Sequence, residues 1–278
     1  MTLRKGFAMS LDAIERKLLD YLRGIPKLVV LVSGGADSAL LAEAARRAAP
    51  AEPPILSHAL LPFSPPEETD FIKDFAAERG LELVVVPIPL LENAEVASNG
   101  PARCYHCKKA ILEAVSADPR IPRSAAFADG TVLDDYDDHR PGLRATGEAG
   151  ILRPLAGNGF GKREARLLAR RYGIPFWNRP ASACLASRVP TGSRITREKL
   201  DMVSEAESRL SARGFRGCRV RCLDGSVASV EVAKIHLGRL RRLEDEIRPE
   251  LLAVGFAEVR IDPSGYTKGA VNAASRRE

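Results

Sequence analysis

The sequence predicts an α/β protein, with a doubly wound parallel sheet first and a smaller C-terminal α+β domain after it. Three observations carry this prediction. Short apolar runs alternate with helix-like stretches from residue 28 to about residue 172, the rhythm of βαβ units. A glycine-rich turn, Ser33-Gly34-Gly35-Ala36-Asp37-Ser38, joins the first such run to an Ala/Leu-rich stretch. Beyond about Arg194 the order changes to helix, two strands, helix and strand.

The elements follow in order. Leu11–Arg23 has the spacing of an amphipathic helix. Leu28–Val32, Ile55–Leu60 and Leu81–Val86 are short apolar strands, and Ala125–Ala128 reads as a fourth. Ala39–Ala49, which contains Glu43, Glu67–Arg79 and Gly161–Tyr172 read as helices between or after them. In the second part Thr196–Ala212 is predicted helical. Cys218–Cys222 and Val227–Val232 read as two strands across an Asp224-Gly225 turn. Lys234–Leu252 is predicted as one helix and Ala257–Ile261 as the last strand. Pro62–Pro66, Ser98–Pro101 and Ala156–Gly161 read as loops. The predicted boundary puts residues 1–180 in the sheet domain and 181–278 in the second.

With 278 residues, 45% hydrophobic and 28% charged, the chain has the composition of an ordinary folded protein. It lacks an apolar run of bilayer length and a signal-peptide pattern, so no membrane partner and a cytoplasmic location are expected. A net charge of +6 suits an anionic small-molecule substrate and equally suits RNA. Five cysteines in such a chain argue for metal or redox chemistry over a disulfide framework.

The turn at 33–38 is the strongest chemical signal. A glycine turn between a strand and a helix aims backbone N–H groups at one point, an anion site. Gly34 and Gly35 let a polyphosphate approach the backbone, Ser33 and Ser38 add hydroxyl donors, and Asp37 is suited to a Mg²⁺ bridging phosphate oxygens. A Walker A loop would need Gly-Lys-Ser/Thr here and does not have it. The pattern instead resembles the pyrophosphate loop (PP-loop) of the ATP pyrophosphatases, whose fold is of the adenine nucleotide α-hydrolase type. The competing reading is a plain glycine turn capping a core helix. Lys162, in Gly159-Phe160-Gly161-Lys162-Arg163-Glu164-Ala165-Arg166, stands at a predicted helix start, where a cation opposes the helix dipole unless a phosphate binds there.

Cysteine forms the second constellation. Cys104-Tyr105-His106-Cys107 is a CxxC pair, and Cys184 lies in Ala183-Cys184-Leu185-Ala186-Ser187-Arg188. Three thiolates can hold three corners of an iron–sulfur cluster and leave one iron open to a further ligand. Zinc would require a fourth ligand such as His106 or His58. Cys218 and Cys222 lie four apart on a predicted strand, share one face and read as buried thiols.

Taken with the segment from Asp129-Gly130-Thr131 through Asp134-Asp135 to Arg140-Pro141-Gly142, with Trp177-Asn178-Arg179-Pro180 and with the tail Asp262-Pro263-Ser264-Gly265-Tyr266, these motifs resemble the LarE family along nearly the whole chain. That family comprises ATP-dependent sulfur transferases of nickel-pincer cofactor synthesis, which adenylylate a carboxylate of a pyridinium dicarboxylate mononucleotide and convert it to a thiocarboxylate. The resemblance implies ATP and Mg²⁺ as cofactors. It places Ser33, Gly34, Gly35, Asp37, Ser38, Gly130 and Lys162 at the nucleotide. It implies Cys184 and Lys162 as catalytic residues, and Arg188, Arg219, Arg221 and Asp135 as substrate contacts. Arg219 and Arg221 alternate on a strand and so share a face, where the planar guanidinium suits phosphate or carboxylate; a solvated strand face is the competing reading. Within the family the sulfur comes either from the single cysteine itself, or from a sulfide carried by a 4Fe–4S cluster on three cysteines. Cys104 and Cys107 beside Cys184 point to the cluster. The family also implies a homo-oligomer formed through the smaller domain. Thr191 and Thr267-Lys268 depart from the family pattern, which usually has an aromatic residue and an arginine there.

The sequence leaves other classes open. A tRNA-thiolating enzyme also pairs this loop with CxxC, but 5% aromatic content offers little stacking surface for RNA, which makes nucleic acid the weaker partner. A non-catalytic nucleotide-binding module would keep ATP affinity and release no pyrophosphate. An amide-forming synthetase would need an ammonia source, for which 278 residues leave no domain.

Overall fold

Leu28–Leu31 (β1) is buried along its whole length, with a strand on each edge and helical residues packed against it in the core. This computed structural model describes residues 10–49, 52–64, 66–137, 141–178 and 184–266. The chain divides into two compact units, Met1–Pro89 with Cys104–Ser182 and Leu90–Arg103 with Ala183–Glu278.

In chain order the first unit begins with α1 (Leu11–Arg23), β1, α2 (Ala36–Ala48), β2 (Ile55–Leu60), α3 (Pro66–Glu78) and β3 (Leu83–Pro87). A short helix α4 (Ala94–Ala97) lies in the segment that folds with the second unit. Next come α5 (Arg103–Ala117), β4 (Ala126–Asp129), α6 (Pro141–Glu148), α7 (Pro154–Gly157) and α8 (Lys162–Arg171). The first sheet is parallel throughout, in the order β3-β2-β1-β4. Leu152 adds a parallel bridge outside β4, at Ala128. Apolar residues of α1, α2, α3 and α8 share one core with β1, including Leu18, Leu40, Leu41, Phe75 and Leu168. Buried Glu43 of α2 is neutralised there by Arg46 and Arg47, at 2.9 and 2.7 Å, which hold its carboxyl below the ordinary range although burial works the other way.

The strand order reverses direction between β1 and β4. The chain leaves β1 toward β2 on one side, and β4 is added on the other. In parallel α/β sheets a ligand crevice opens at such a point, beyond the carboxyl ends of the two strands.

The second unit contains α9 (Arg197–Ala212), β5 (Arg219–Leu223), β6 (Val227–Glu231), α10 (Leu237–Arg242), α11 (Glu244–Val254) and β7 (Glu258–Ile261). Its sheet runs β5-β6-β7, antiparallel for the hairpin and parallel for β7. Positive φ at Gly225 and Ser226 closes the hairpin after Asp224. The helix predicted over 234–252 is broken. A 3-10 turn at Lys234–His236 precedes α10, and Leu243 stands at ψ 9° between α10 and α11. α5 was not anticipated; it presents only Ile111, Leu112 and Val115 to the interior, too sparse a pattern to announce a helix. Among the described residues no helix is long and apolar enough to cross a membrane.

Candidate functional site

Two loops meet at the reversal point of the first unit. Val32 continues β1 into the glycine turn, and Asp129 ends β4 and leads to Gly130. Gly34 has φ +79°, a conformation that favours glycine. Ser38 turns back on the loop: its Oγ accepts from the Ser33 amide at 3.2 Å and donates to the Gly35 carbonyl at 3.0 Å. Gly35 caps α2 without a side chain, so no residue of its own blocks the helix N-terminus. Gly130 lies against that start. A Cβ on it would stand 2.6 Å from the Ser38 amide nitrogen and 2.8 Å from Ser38 Cα. Glycine is therefore the residue that lets the loop after β4 reach the loop after β1.

The segment after Gly130 supplies the charges. Thr131 N–H donates to Asp129 Oδ1 at 3.0 Å, and Val132 N–H donates to Asp135 Oδ2 at 3.1 Å, which folds the 3-10 turn Leu133–Tyr136. Asp135 Oδ1 lies 3.2 Å from Lys162 Nζ, and Asp134 Oδ2 accepts from the Lys162 amide at 2.7 Å. Asp134 thus caps α8, whose own N-cap, Gly161, has no side chain to do so. The cation–dipole conflict read from the sequence is met by these two carboxylates. Burial pushes the Asp37 carboxyl above its ordinary range, as does the Asp135 carboxylate; Lys162 and Arg166 pull it down, and Asp134 raises it further. Asp134, Asp135, Lys162 and Arg166 thus all act on the Asp37 carboxyl. Asp134 and Arg166 were not singled out from the sequence. Arg166 lies one helical turn after Lys162 on α8, whereas the capping role of Asp134 spans 28 residues and has no local signal.

Cys104 and Cys107 occupy the first turn and a half of α5, three residues apart and so on one face, the former exposed and the latter half-buried. In the second unit Cys184 is exposed and starts the 3-10 turn Leu185–Arg188. Three guanidiniums hold the carbonyls of that turn. Arg188 donates to Cys184 O at 3.3 Å, Arg103 to Ala186 O at 3.0 Å and Arg221 to Ser187 O at 3.1 Å. Arg188 is also paired bidentately with Glu207 at 2.8 and 2.9 Å, and Arg221 pairs with Glu231. Arg219 stacks over the Tyr266 ring at 4.4 Å and donates to its hydroxyl at 2.9 Å. Arg219 and Arg221 do share the more open face of β5, opposite buried Val220 and Cys222. Cys218 and Cys222 are buried; burial pushes the thiol of Cys218 up to about 11 and raises that of Cys222 as well. Both are poor nucleophiles at neutral pH.

For metals, the donor sets are chemically suited. Mg²⁺ is commonly held by one or two carboxylates plus substrate phosphates, and the Asp37 carboxyl on the first turn of α2 is a donor of that type. Three soft thiolates suit an iron–sulfur cluster. Among the described residues, however, no group of three or more His, Cys, Asp or Glu is set to hold a metal ion. His58, one of the zinc ligands considered, has both ring nitrogens engaged in the interior and cannot serve. Arg140, Arg179-Pro180, Ala183 and Thr267-Lys268 lie outside the described residues.

No family model matches the chain. It is 29% identical over 255 residues to pyridinium-3,5-bisthiocarboxylic acid mononucleotide synthase of Lactiplantibacillus plantarum, covering 92% of each chain. The chain belongs to the LarE family. A LarE-family relationship over the whole length agrees with two further matches. An uncharacterized protein of Synechocystis sp. is 30% identical over 94% of this chain and 98% of its own. One from Methanocaldococcus jannaschii is 27% identical over 86% and 90%. The named LarE relative is a synthase, and this LarE chain is likewise an enzyme.

Proposed function

We propose that this enzyme inserts sulfur into a pyridinium dicarboxylate mononucleotide, the precursor of the nickel-pincer cofactor, at the expense of ATP. The observation that carries the reading is the glycine loop at the reversal point of the sheet, with Gly130 seated on Ser38 and Lys162 held by Asp135. A carboxylate resists substitution because oxide would have to leave. A substrate carboxylate oxygen therefore attacks the α-phosphorus of ATP, and the bond to pyrophosphate breaks. The backbone of 33–38 and Lys162 receive the departing charge. Mg²⁺ at Asp37 would offset the phosphate charge when bound. Sulfur then attacks the acyl carbon, the carbon–oxygen bond to AMP breaks, and a thiocarboxylate forms.

Cys184 takes part in either route for the sulfur, and its turn is fixed by Arg103, Arg188 and Arg221. Cys104, Cys107 and Cys184 are the thiolates that would hold a 4Fe–4S cluster, which when bound supplies a labile sulfide. With Cys184 as sole donor, its sulfur attacks the acyl adenylate to give a thioester. Loss of the Cα proton then breaks the Cβ–sulfur bond and leaves dehydroalanine. Iron and acid-labile sulfide on protein purified without oxygen separate the two routes. Iron lost in both Cys104→Ala and Cys107→Ala supports the carrier, and iron-free protein whose mass drops by hydrogen sulfide after turnover supports Cys184 as donor.

The reaction itself is tested by ATP cleavage. AMP and pyrophosphate should appear only with the pyridinium carboxylate mononucleotide present, and Cys184→Ser should still release pyrophosphate while forming no thiocarboxylate. ADP and phosphate as products would refute the adenylylation.

A further inference from the structure

His58 is a charged-residue type at the centre of an apolar sheet. It sits on β2, 2% exposed, and Thr69 on α3 is 7% exposed. Its Nδ1 lies 3.0 Å from Val32 O and its Nε2 3.1 Å from Thr69 Oγ1. A carbonyl only accepts, so Nδ1–H donates to Val32, and in the neutral ring Nε2 then accepts from the threonine hydroxyl. Val32 is the residue immediately before Ser33, the first of the glycine loop. Its amide is already fixed by Ser57 O at 2.9 Å. The carbonyl of Val32 lies beyond the last residue of β1. The imidazole therefore holds the peptide from which the loop departs.

A second contact joins the same two segments. A Cβ on Gly34 would meet Glu68 Cβ at 3.1 Å, and Glu68 is the residue before Thr69. The first turns of α3 thus touch the loop directly at Gly34 and hold its root through Thr69 and His58. A core position that needed only volume would be filled by an apolar residue, because a buried imidazole must keep both nitrogens bonded.

We infer that His58 is a positioning residue for the nucleotide: the neutral imidazole, held by Thr69, sets the direction of the Val32–Ser33 peptide and with it the phosphate-binding amides of the loop. This rests on the loop at 33–38 being the ATP site. The residue acts through Val32 and touches no reacting atom. Burial favours the neutral form, in keeping with a ring that accepts at Nε2.

The test measures binding of Mg·ATP and of inorganic pyrophosphate by calorimetry to the full chain and to three variants, with KM and kcat for pyrophosphate release alongside. His58→Asn places an amide N–H near Nδ1 and keeps the Val32 bond. His58→Gln reaches toward Thr69 and loses it. Thr69→Val removes the outer brace alone. His58→Gln should weaken pyrophosphate and ATP binding about tenfold, as one hydrogen bond's loss predicts, and raise KM for ATP more than it lowers kcat. His58→Asn should recover most of that affinity, and Thr69→Val should fall between. Wild-type binding with equal affinity in His58→Gln, or equal losses in His58→Asn and His58→Gln, overturns the inference while leaving the ATP site intact. Failure of the wild type to bind either ligand overturns both.

Discussion

Gly130 and Ser38 approach so closely that any side chain at 130 would overlap the backbone at the start of α2, its Cβ falling 2.6 Å from the Ser38 amide. The relationship joins the carboxyl ends of β1 and β4 at the point where the strand order reverses. Gly130→Ala must push the two loops apart, since the atoms it meets are backbone. We expect about 1–3 kcal/mol of lost stability, the usual range for overpacking, together with weakened ATP binding. Thermal unfolding and ATP titration of the variant check this; wild-type values for both would contradict it.

Lys162 and Asp135 make unequal contributions. If the proposed reaction holds, Lys162→Ala removes the cation assigned to the departing pyrophosphate and should slow its release by about 10²–10³-fold. Asp135→Asn keeps the lysine but loosens its 3.2 Å anchor and the 132–135 turn. Its effect should be nearer tenfold, the scale of one charge-assisted hydrogen bond. Steady-state pyrophosphate release measures both, and the order of the two effects is the informative result.

The Asp37 carboxylate stands where burial works against its charge. Burial first, then Asp135, raises its folded pKa above the ordinary 3.8. The folded state therefore holds this proton more tightly than the unfolded chain. Stability falls as pH rises from the unfolded value through the raised folded one, and the loss persists at neutral pH. Asp37→Asn should raise Tm at pH 7 by about 2–4 °C, equivalent to ~1 kcal/mol in a chain of this size. The gain should vanish at pH values below the ordinary carboxylate pKa, and ATP cleavage should fall about a hundredfold. A lower Tm at pH 7 would mean that the carboxylate is well compensated.

Arg103 should separate the two halves of the reaction. Its guanidinium bonds Ala186 O at 3.0 Å and Asn99 Oδ1 at 2.6 Å, while Asn99 itself bonds Val189 O and Pro190 O. Arg103→Ala frees the Cys184 turn from one of its three guanidiniums. Pyrophosphate release should stay at the wild-type rate while thiocarboxylate formation drops about tenfold. Equal losses in both steps would show a general folding defect.

The parts of this protein that local pattern dictates were legible in its sequence. The apolar spacing of Leu11–Arg23, the strand Ile55–Leu60 and the glycine loop after β1 all recur in the structure where the residues placed them. What stayed hidden depends on contacts far apart in the chain. Leu90–Arg103 folds with the second unit because Asn99, at φ +59°, reaches carbonyls about 90 residues on, and no local composition encodes that. Lys234–Leu252 reads as continuous helix, yet it breaks at Leu243. The resemblance implies Arg188 and Arg221 as substrate contacts. Their pairing with Glu207 and Glu231, and their hold on the Cys184 turn, were not legible.

The most direct measurement is the mass of the pyridinium mononucleotide after incubation with this protein and Mg·ATP, read beside the nucleotide products. Exchange of one oxygen for one sulfur in the substrate is expected, with AMP and pyrophosphate formed and with Lys162→Ala slowed by about 10²–10³-fold. Unchanged substrate mass with the intact protein, or sulfur exchange that proceeds without ATP, would contradict the proposed reaction.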